Sequence, residues 1–533
     1  MNFLKVGKAT ELSGKNKKLY RLLEMLPGFL SWSTLLVLII FSYFQPVWVA
    51  YFIIAFNVYW LLLVIYLAIH LIAAYKKLQI IRKKDWNYLC RNLDKGSKIV
   101  DEEKLVDNPN QARYLYKEGL TWKDFVHVVV LPTYNEDLEI IRASLNAIKN
   151  DNYPNDKIAI VLAMEERVGE ISKERAEAVR KEFSSTFFKF YISFHPGDIE
   201  GELKGKGANQ SWGLKNFTKE VIDVENWDYE KIIVSVFDID TVISSGYFYR
   251  LTYKFLTTPD PYKASYQPVP VYHNNIWEAP FFARVAATSN TFWQMMQQIR
   301  RESLATYSSH SMSFKALSDI GFWSTTMVSE DSRIFWHCLL YYKGNYRVEP
   351  LNFPVSMDVT MDKNAISTAK SLYKQQRRWA WGAENIPYLI FNTIKLWPNL
   401  NKKKLLNHIA IQLYGFHSWA TNALIIAVIG WLPIILGGEK FTSTVLSGNL
   451  PAITTLLMNL AMVGLILSSV ISTLLLPKPK IKINIWKKIQ LIVEWIFVPV
   501  TIIIFGAIPC LEAQTLLFRG KYMGFWVTPK QRE

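Results

Sequence analysis

Cysteine is scarce: Cys90, Cys338 and Cys510 are the only three in 533 residues, too scattered for a disulfide framework. CxxC pairs and the HExxH pattern are missing as well, so the familiar zinc spacings are excluded. Gly201, Gly205, Lys206 and Gly207 have the wrong interval for a phosphate loop, and no Ser or Thr follows the lysine. Gly205 and Gly207 lack the third glycine of a dinucleotide fingerprint. No internal repeat and no low-complexity segment is present. Acidic residues are outnumbered, 45 against 61 basic ones, which leaves a net charge of +16. Half the chain is hydrophobic and 14% is aromatic, a mixture that excludes a disordered protein.

Charge is also missing from long stretches. Residues 28–44 and 46–75 are almost free of it, and apolar runs recur at about 407–437, 449–476 and 489–518. A bilayer core of about 30 Å takes about 20 apolar residues, so these runs predict transmembrane helices. The opening 27 residues are polar and basic, so no cleavable signal is expected there. Lys5, Lys8, Lys15, Lys17, Lys18 and Arg21 precede the first run, and Lys76, Lys77, Arg82, Lys83 and Lys84 follow the second. The positive-inside rule then puts the N-terminus and the long middle segment in the cytoplasm. Lys478, Lys480, Lys482, Lys487 and Lys488 mark another cytoplasmic loop. Arg519, Lys521, Lys530 and Arg532 also favour the cytoplasm, yet an odd number of spans would put them outside. Either the segment around 506–509 is re-entrant or one long run is partly interfacial. Because the basic runs abut the spans, anionic lipid headgroups are the expected partners and nucleic acid is not.

The division expected is a basic N-terminus (1–27), two transmembrane helices (28–75) and a soluble domain (76–386). An interfacial helix (387–405), about three more transmembrane helices (406–518) and a basic tail (519–533) complete it. Within the soluble part, strands are predicted at 125–131, 157–163, 190–194 and 231–237, with helices at 137–149 and 172–184 between them. That alternation predicts an α/β domain with a mostly parallel sheet, whose ligands bind beyond the carboxyl ends of the strands.

The residues at those ends carry the chemistry. Pro132-Thr133-Tyr134-Asn135-Glu136 follows the first strand and suits a base and a ribose, or simply turns the chain into a helix. Met164-Glu165-Glu166 follows the second. Asp238-Ile239-Asp240 follows the fourth, and in extended chain its two carboxylates face the same way. With diphosphate oxygens they would make an all-oxygen site for Mg²⁺ or Mn²⁺. Farther on, Ser329-Glu330-Asp331 opens a predicted helix; its acids either complement the helix dipole or deprotonate an attacking hydroxyl. In Gln375-Gln376-Arg377-Arg378-Trp379, the first, fourth and fifth residues share a helix face offering an amide, a guanidinium and a flat ring. An interfacial Arg/Trp anchor is the alternative.

Taken in order, PTYNE (132–136), DID (238–240), SED (329–331) and QQRRW (375–379) resemble the membrane-integrated family 2 glycosyltransferases, the cellulose synthase-like enzymes. The flanking apolar runs match that pattern too. The resemblance implies a GT-A fold, Rossmann-like, and an inverting single displacement from a nucleotide-sugar, a UDP-sugar being favoured. It implies that Thr133, Tyr134 and Glu136 contact the nucleoside, and that Glu165 substitutes there for the aspartate pair of most relatives. Lys206, Asp238, Gln375 and Arg378 would hold the diphosphate, and Asp240 with Asp238 the metal. Asp331, with Glu330 beside it, would be the catalytic base. Trp379, Ser309 and His310 would line the acceptor end. A growing polysaccharide or a lipid-linked acceptor would receive the sugar, at a multi-pass protein of the plasma (inner) membrane with its catalytic domain cytoplasmic.

Overall fold

The computed structural model describes residues 3–93, 114–477 and 493–529, with Trp486 and Ile489 between. Two long helices, Gly14–Phe44 and Pro46–Arg82, come first and meet at Gln45. The first begins well before the apolar run and takes Pro27 into its interior. Its polar opening turns lie against the soluble domain, where Tyr20 is fully buried.

Among the described residues the sheet has eight strands: β1 Val126–Pro132, β2 Ile158–Glu165, β3 Lys189–His195, β4 Ile232–Val236, β5 Val242–Ile243, β6 Ala264–Val271, β7 Ser311–Ser313 and β8 Arg347–Ser356. Their order is β3-β2-β1-β4-β7-β6-β8-β5. The four strands expected from sequence form the parallel half. They are buried because helices Leu138–Lys149, Glu170–Phe183 and Lys206–Phe217 form the crossovers and cover the faces. Alternate side chains of β1 divide between two cores, Val129 and Leu131 on one face and Val128 and Val130 on the other.

The second half, whose strands the sequence reading did not name, is mixed. β7 runs antiparallel to β4 and β6, β6 is parallel to β8, and β5 is antiparallel to β8. These strands hide their signal. β7 is Ser-Met-Ser, and β6 and β8 carry Pro268, Pro270, Pro350 and Pro354, residues that ordinarily argue against a strand. The pairing accommodates them through a register shift between Gln267 and Val269.

After β8 come helix Ala365–Ala380, a tight turn Trp381–Glu384 and the mostly buried helix Asn385–Leu396. Among the described residues, four helices are long and apolar enough to cross a membrane: Gly14–Phe44, Pro46–Arg82, Val445–Leu475 and Glu494–Phe518. A fifth arises if Lys402–Ala427 and Ile429–Leu436, bent by 42°, count as one.

Candidate active site

Parallel register aligns the strand ends. Pro132 lies beside Ala163, and Val130 beside Val236, so Thr133, Glu165 and Asp238 emerge along one edge. The Phe237 N–H donates to the Val130 carbonyl at 3.0 Å, which continues the pairing up to Asp238. Thr133 is buried and its N–H donates to Ala163 at 2.7 Å. Asn209 closes this corner: its amide donates to the carbonyls of Thr133 and Ala163 at 3.2 and 2.8 Å. Next to it, the Glu136 carboxylate accepts from the Tyr134 N–H at 2.7 Å. Glu165, at the end of β2, is buried and ion-paired with Arg167, whose guanidinium lies 4.3 Å from the Tyr134 ring centre. One corner thus presents a ring, a guanidinium and two carboxylates.

The centre is an ion cluster. Helix Lys206–Phe217 starts at the sheet edge, and Lys206 Nζ lies 2.6 Å from Asp238 and 2.7 Å from Asp331. Burial would lower the Lys206 pKa, but Asp238, Asp331 and Glu330 outweigh it and keep the lysine charged. Gly207 makes this approach possible: a Cβ there would stand 2.7 Å from the Ser324 carbonyl and 3.0 Å from Glu330 Cβ. Helix Glu330–Tyr341 can therefore press its first turn against helix Lys206–Phe217. Glu330 is 2% exposed, and burial with the neighbouring Asp331 charge raises its carboxyl well above the usual range. It stands behind Asp331, which keeps about a fifth of its side chain exposed. That contrast makes Asp331 the accessible acid of the pair.

Asp240 lies in a turn closed by the Thr241 N–H on the Asp238 carbonyl at 2.8 Å, where an extended chain was expected, and is 2% exposed. Its carboxylate accepts from the Asp358 N–H at 3.0 Å, and Asn274 bridges the Asp240 carbonyl and the Asp358 carboxylate at 2.8 Å each. Among the described residues no three His, Cys, Asp or Glu side chains gather as a metal cluster. The carboxylates of Asp238 and Asp240 fit a hard cation in donor type, with phosphate oxygens left to supply further ligands.

Helix Ala365–Ala380 brings in the last patch. The Gln375 side-chain oxygen accepts from Thr360 at 2.7 Å. Arg378 Nε is buried with no hydrogen-bond partner, and its guanidinium lies 5.1 Å from the Phe525 ring. Trp379 lines a small cavity with Gln375, Gln376, Thr360, Leu372 and Tyr272. Burial raises the Tyr272 pKa, and so do the charges of Asp238 and Asp240, against the opposing pull of Arg378. One phenol therefore feels both ends of the set. Ser309 and His310 are fully buried; Ser309 meets the Thr241 hydroxyl at 2.9 Å, and His310 Nδ1 lies 2.8 Å from the Tyr307 carbonyl. Burial lowers the His310 pKa, although Asp331 and Asp238 pull the other way. Lys206 thus joins the Asp238 and Asp331 patches, Asn209 of the same helix ties in Thr133, and Phe525 lies against both Gly205 and Arg378.

Sequence reasoning named Arg167 at its strand end without giving it a role, and passed over Tyr272, Asn274, Asp358, Glu384 and Phe525. Arg167 had a signal, since it directly follows Met164-Glu165-Glu166 at a strand end. Phe525 had none: it comes from the far end of the chain to cover Gly205, where a Cβ would stand 2.6 Å from its ring.

A family profile described as glycosyl transferase family group 2 matches residues 233–505, just over half of the chain. No curated protein matches the sequence at a significant level. Among solved structures, the mannosyltransferase PcManGT from Pyrobaculum calidifontis, in complex with GDP-Man and Mn²⁺, is similar at 13% identity and a TM-score of 0.40. That match covers 78% of this chain and 99% of the other. Residues 1–349 of S. aureus TarS align at 10% identity and a TM-score of 0.34, covering 66% and 91%. The profile takes in Asp238, Asp240, Asp331, Gln375, Arg378 and Trp379, and by that match the chain is an enzyme belonging to glycosyl transferase family group 2.

Proposed function

We propose that this enzyme is an inverting transferase that moves a sugar from a nucleotide-sugar to a growing polysaccharide at the cytoplasmic face of the plasma (inner) membrane. The observation that carries the reading is Lys206, one ammonium ion in contact with both Asp238 and Asp331. It brings the residue assigned to the donor diphosphate within one side chain of the residue assigned to the acceptor.

In the displacement, the acceptor hydroxyl oxygen bonds to the anomeric carbon while the bond from that carbon to the diphosphate breaks. The nucleoside diphosphate leaves with the electron pair, and Asp331 takes the hydroxyl proton. Lys206 and Arg378 stabilise the charge growing on the leaving group. Asp240 and Asp238 would hold Mg²⁺ or Mn²⁺, which supplies further positive charge there when bound. Tyr134, Glu136, Glu165 and Arg167 hold the nucleoside, and Trp379 packs against the acceptor sugar. A second small cavity shares Tyr272 and is lined by His273, Thr288, Thr291, Ser472 and Leu476. Its position at the end of helix Val445–Leu475 supports an acceptor path towards the spans.

The membrane reading follows from which elements the last apolar segment touches. Glu494 pairs with Arg284 of helix Phe281–Gln297, Glu512 accepts from Tyr373 and Arg377, and Arg21 donates to the carbonyls of Leu517 and Phe518. Contacts along its length to the catalytic side support an interfacial segment beneath the domain. Four crossings then remain, and the basic tail returns to the cytoplasm.

The test is purified protein in lipid nanodiscs, incubated with UDP-glucose, UDP-N-acetylglucosamine or GDP-mannose and with Mg²⁺ or Mn²⁺. Consumption of one donor with release of long products supports the reading. A single added sugar replaces it with a transferase acting on a lipid-linked acceptor, and no turnover of any donor removes it.

A further inference from the structure

Ser329 is the cap residue of helix Glu330–Tyr341, yet its side chain makes no capping bond to that helix. Its N–H and its hydroxyl both donate to one oxygen of Glu384, at 3.1 and 2.7 Å. The other oxygen of Glu384 accepts from the Trp381 indole N–H at 2.8 Å. Glu384 is 3% exposed and ends the tight turn that directly follows the Gln375–Trp379 motif. The adjacent Asn385 donates to the hydroxyls of Ser329 and Ser332 at 3.2 and 3.0 Å, and accepts from Arg333 at 2.6 Å. Arg333, on the Asp331 helix, reaches the Glu384 carbonyl at 3.4 Å. Burying a carboxylate is costly, and three directed donors offset that cost only in one geometry.

We propose that Glu384 is a positioning residue that sets the place of Asp331 relative to Arg378 and Trp379. Resting on the assignment of Asp331 as base, this extends the site to a residue that touches neither substrate. The mechanics are direct. Asp331 lies two residues after Ser329, and the Arg378-Trp379 pair lies five to six residues before Glu384, across a short rigid turn. Glu384 is a pin between the element that takes the proton and the element that grips donor and acceptor. A misplacement of about 1 Å at a reacting group can cost on the order of a hundredfold in rate.

The experiment uses the full chain in nanodiscs, as Glu384→Ala, Glu384→Gln and Trp381→Phe, with two readouts. Hydrogen exchange, which needs no donor, should show faster exchange across 326–334 in Glu384→Ala while 206–217 stays protected. Unchanged exchange at 326–334 overturns the pin. Steady-state kinetics use whichever of UDP-glucose, UDP-N-acetylglucosamine or GDP-mannose is consumed. The expected result is a ten- to hundredfold loss of kcat in Glu384→Ala, donor KM within twofold of wild type, and substantial rescue by Glu384→Gln, which still accepts from Ser329. A loss that falls on donor KM, or an equal loss in Glu384→Gln, overturns the proposal. If Glu384→Ala does not fold, Trp381→Phe carries both readouts with Glu384→Gln as the near-wild-type control, and wild-type exchange at 326–334 in Trp381→Phe overturns the proposal. Full turnover in Asp331→Asn would instead remove the base assignment, and consumption of no donor would remove the transferase reading; in both cases the exchange result still stands.

Discussion

At the scale of single residues, burial separates the roles of neighbouring acids. Asp331 and Glu330 are adjacent in sequence, but one keeps access to the cleft and the other is enclosed. Replacing Asp331 with Asn should lower kcat by about 10²–10⁴, the range for losing a positioned base, while nucleoside diphosphate binding persists. Retained turnover, measured by donor consumption, would contradict this. Elsewhere a carboxylate works purely for stability. Glu349 on β8 meets Arg347 at 2.8 Å, Lys254 at 3.2 Å and Arg301 at 3.6 Å. Burial alone would raise its pKa, but Lys254, Arg301 and Arg347 outweigh burial and hold it at about 2, against an ordinary 4.5. A depressed carboxylate contributes stability above its unfolded pKa and loses it as pH falls through the folded one. Glu349→Gln should therefore cost about 3 kcal/mol at neutral pH, with the gap to wild type closing between pH 4.5 and about 2. Thermal unfolding across that window checks it.

At the scale of elements, the site depends on how closely two helices approach. Helix Lys206–Phe217 carries the lysine and helix Glu330–Tyr341 the proposed base, and Gly207 removes the side chain that would part them. Gly207→Ala should destabilise the protein by about 1–3 kcal/mol, the ordinary cost of overpacking, and lower transfer by spreading Lys206 from Asp331. Normal melting with normal activity would show that the contact has slack. The elements also show what a sequence can conceal. β1, β2 and β4 are legible because strands buried on both faces need unbroken apolar runs. β6 and β8 are not, because their four prolines contradict strand propensity and only the pairing around the Gln267–Val269 shift makes room for them.

At the scale of the whole molecule, the chain ends matter as much as the middle. The Tyr522 hydroxyl donates to Glu24, which also accepts from the Ala9 N–H at 3.0 Å, so segments from the two ends of the described chain meet beside the first long helix. Phe525 and Trp526 then reach the motif helix, near Arg378 and Lys374. The topology has a direct check, since Cys90, Cys338 and Cys510 are all buried and leave a quiet background. Single cysteines at the exposed positions Lys17, Lys440 and Lys521 report the side of each segment. With a membrane-impermeant thiol reagent on intact cells, Lys440→Cys should label and the other two should not. Labelling of Lys521→Cys would make Glu494–Phe518 a true crossing.

Local sequence alone specifies the parallel strands, the apolar helices and the short polar patches proposed to carry the chemistry. These are local properties: a two-residue period, an uncharged run, a carboxylate placed just past a strand. Chain closure is what joins Lys206 to Asp238 and Asp331, sets Asp240 against Asp358 and Asn274, and places Glu384 on Ser329 at the start of helix Glu330–Tyr341. Those contacts join residues far apart in the chain, and their strength comes from burial and direction, which exist only after the chain has closed around them.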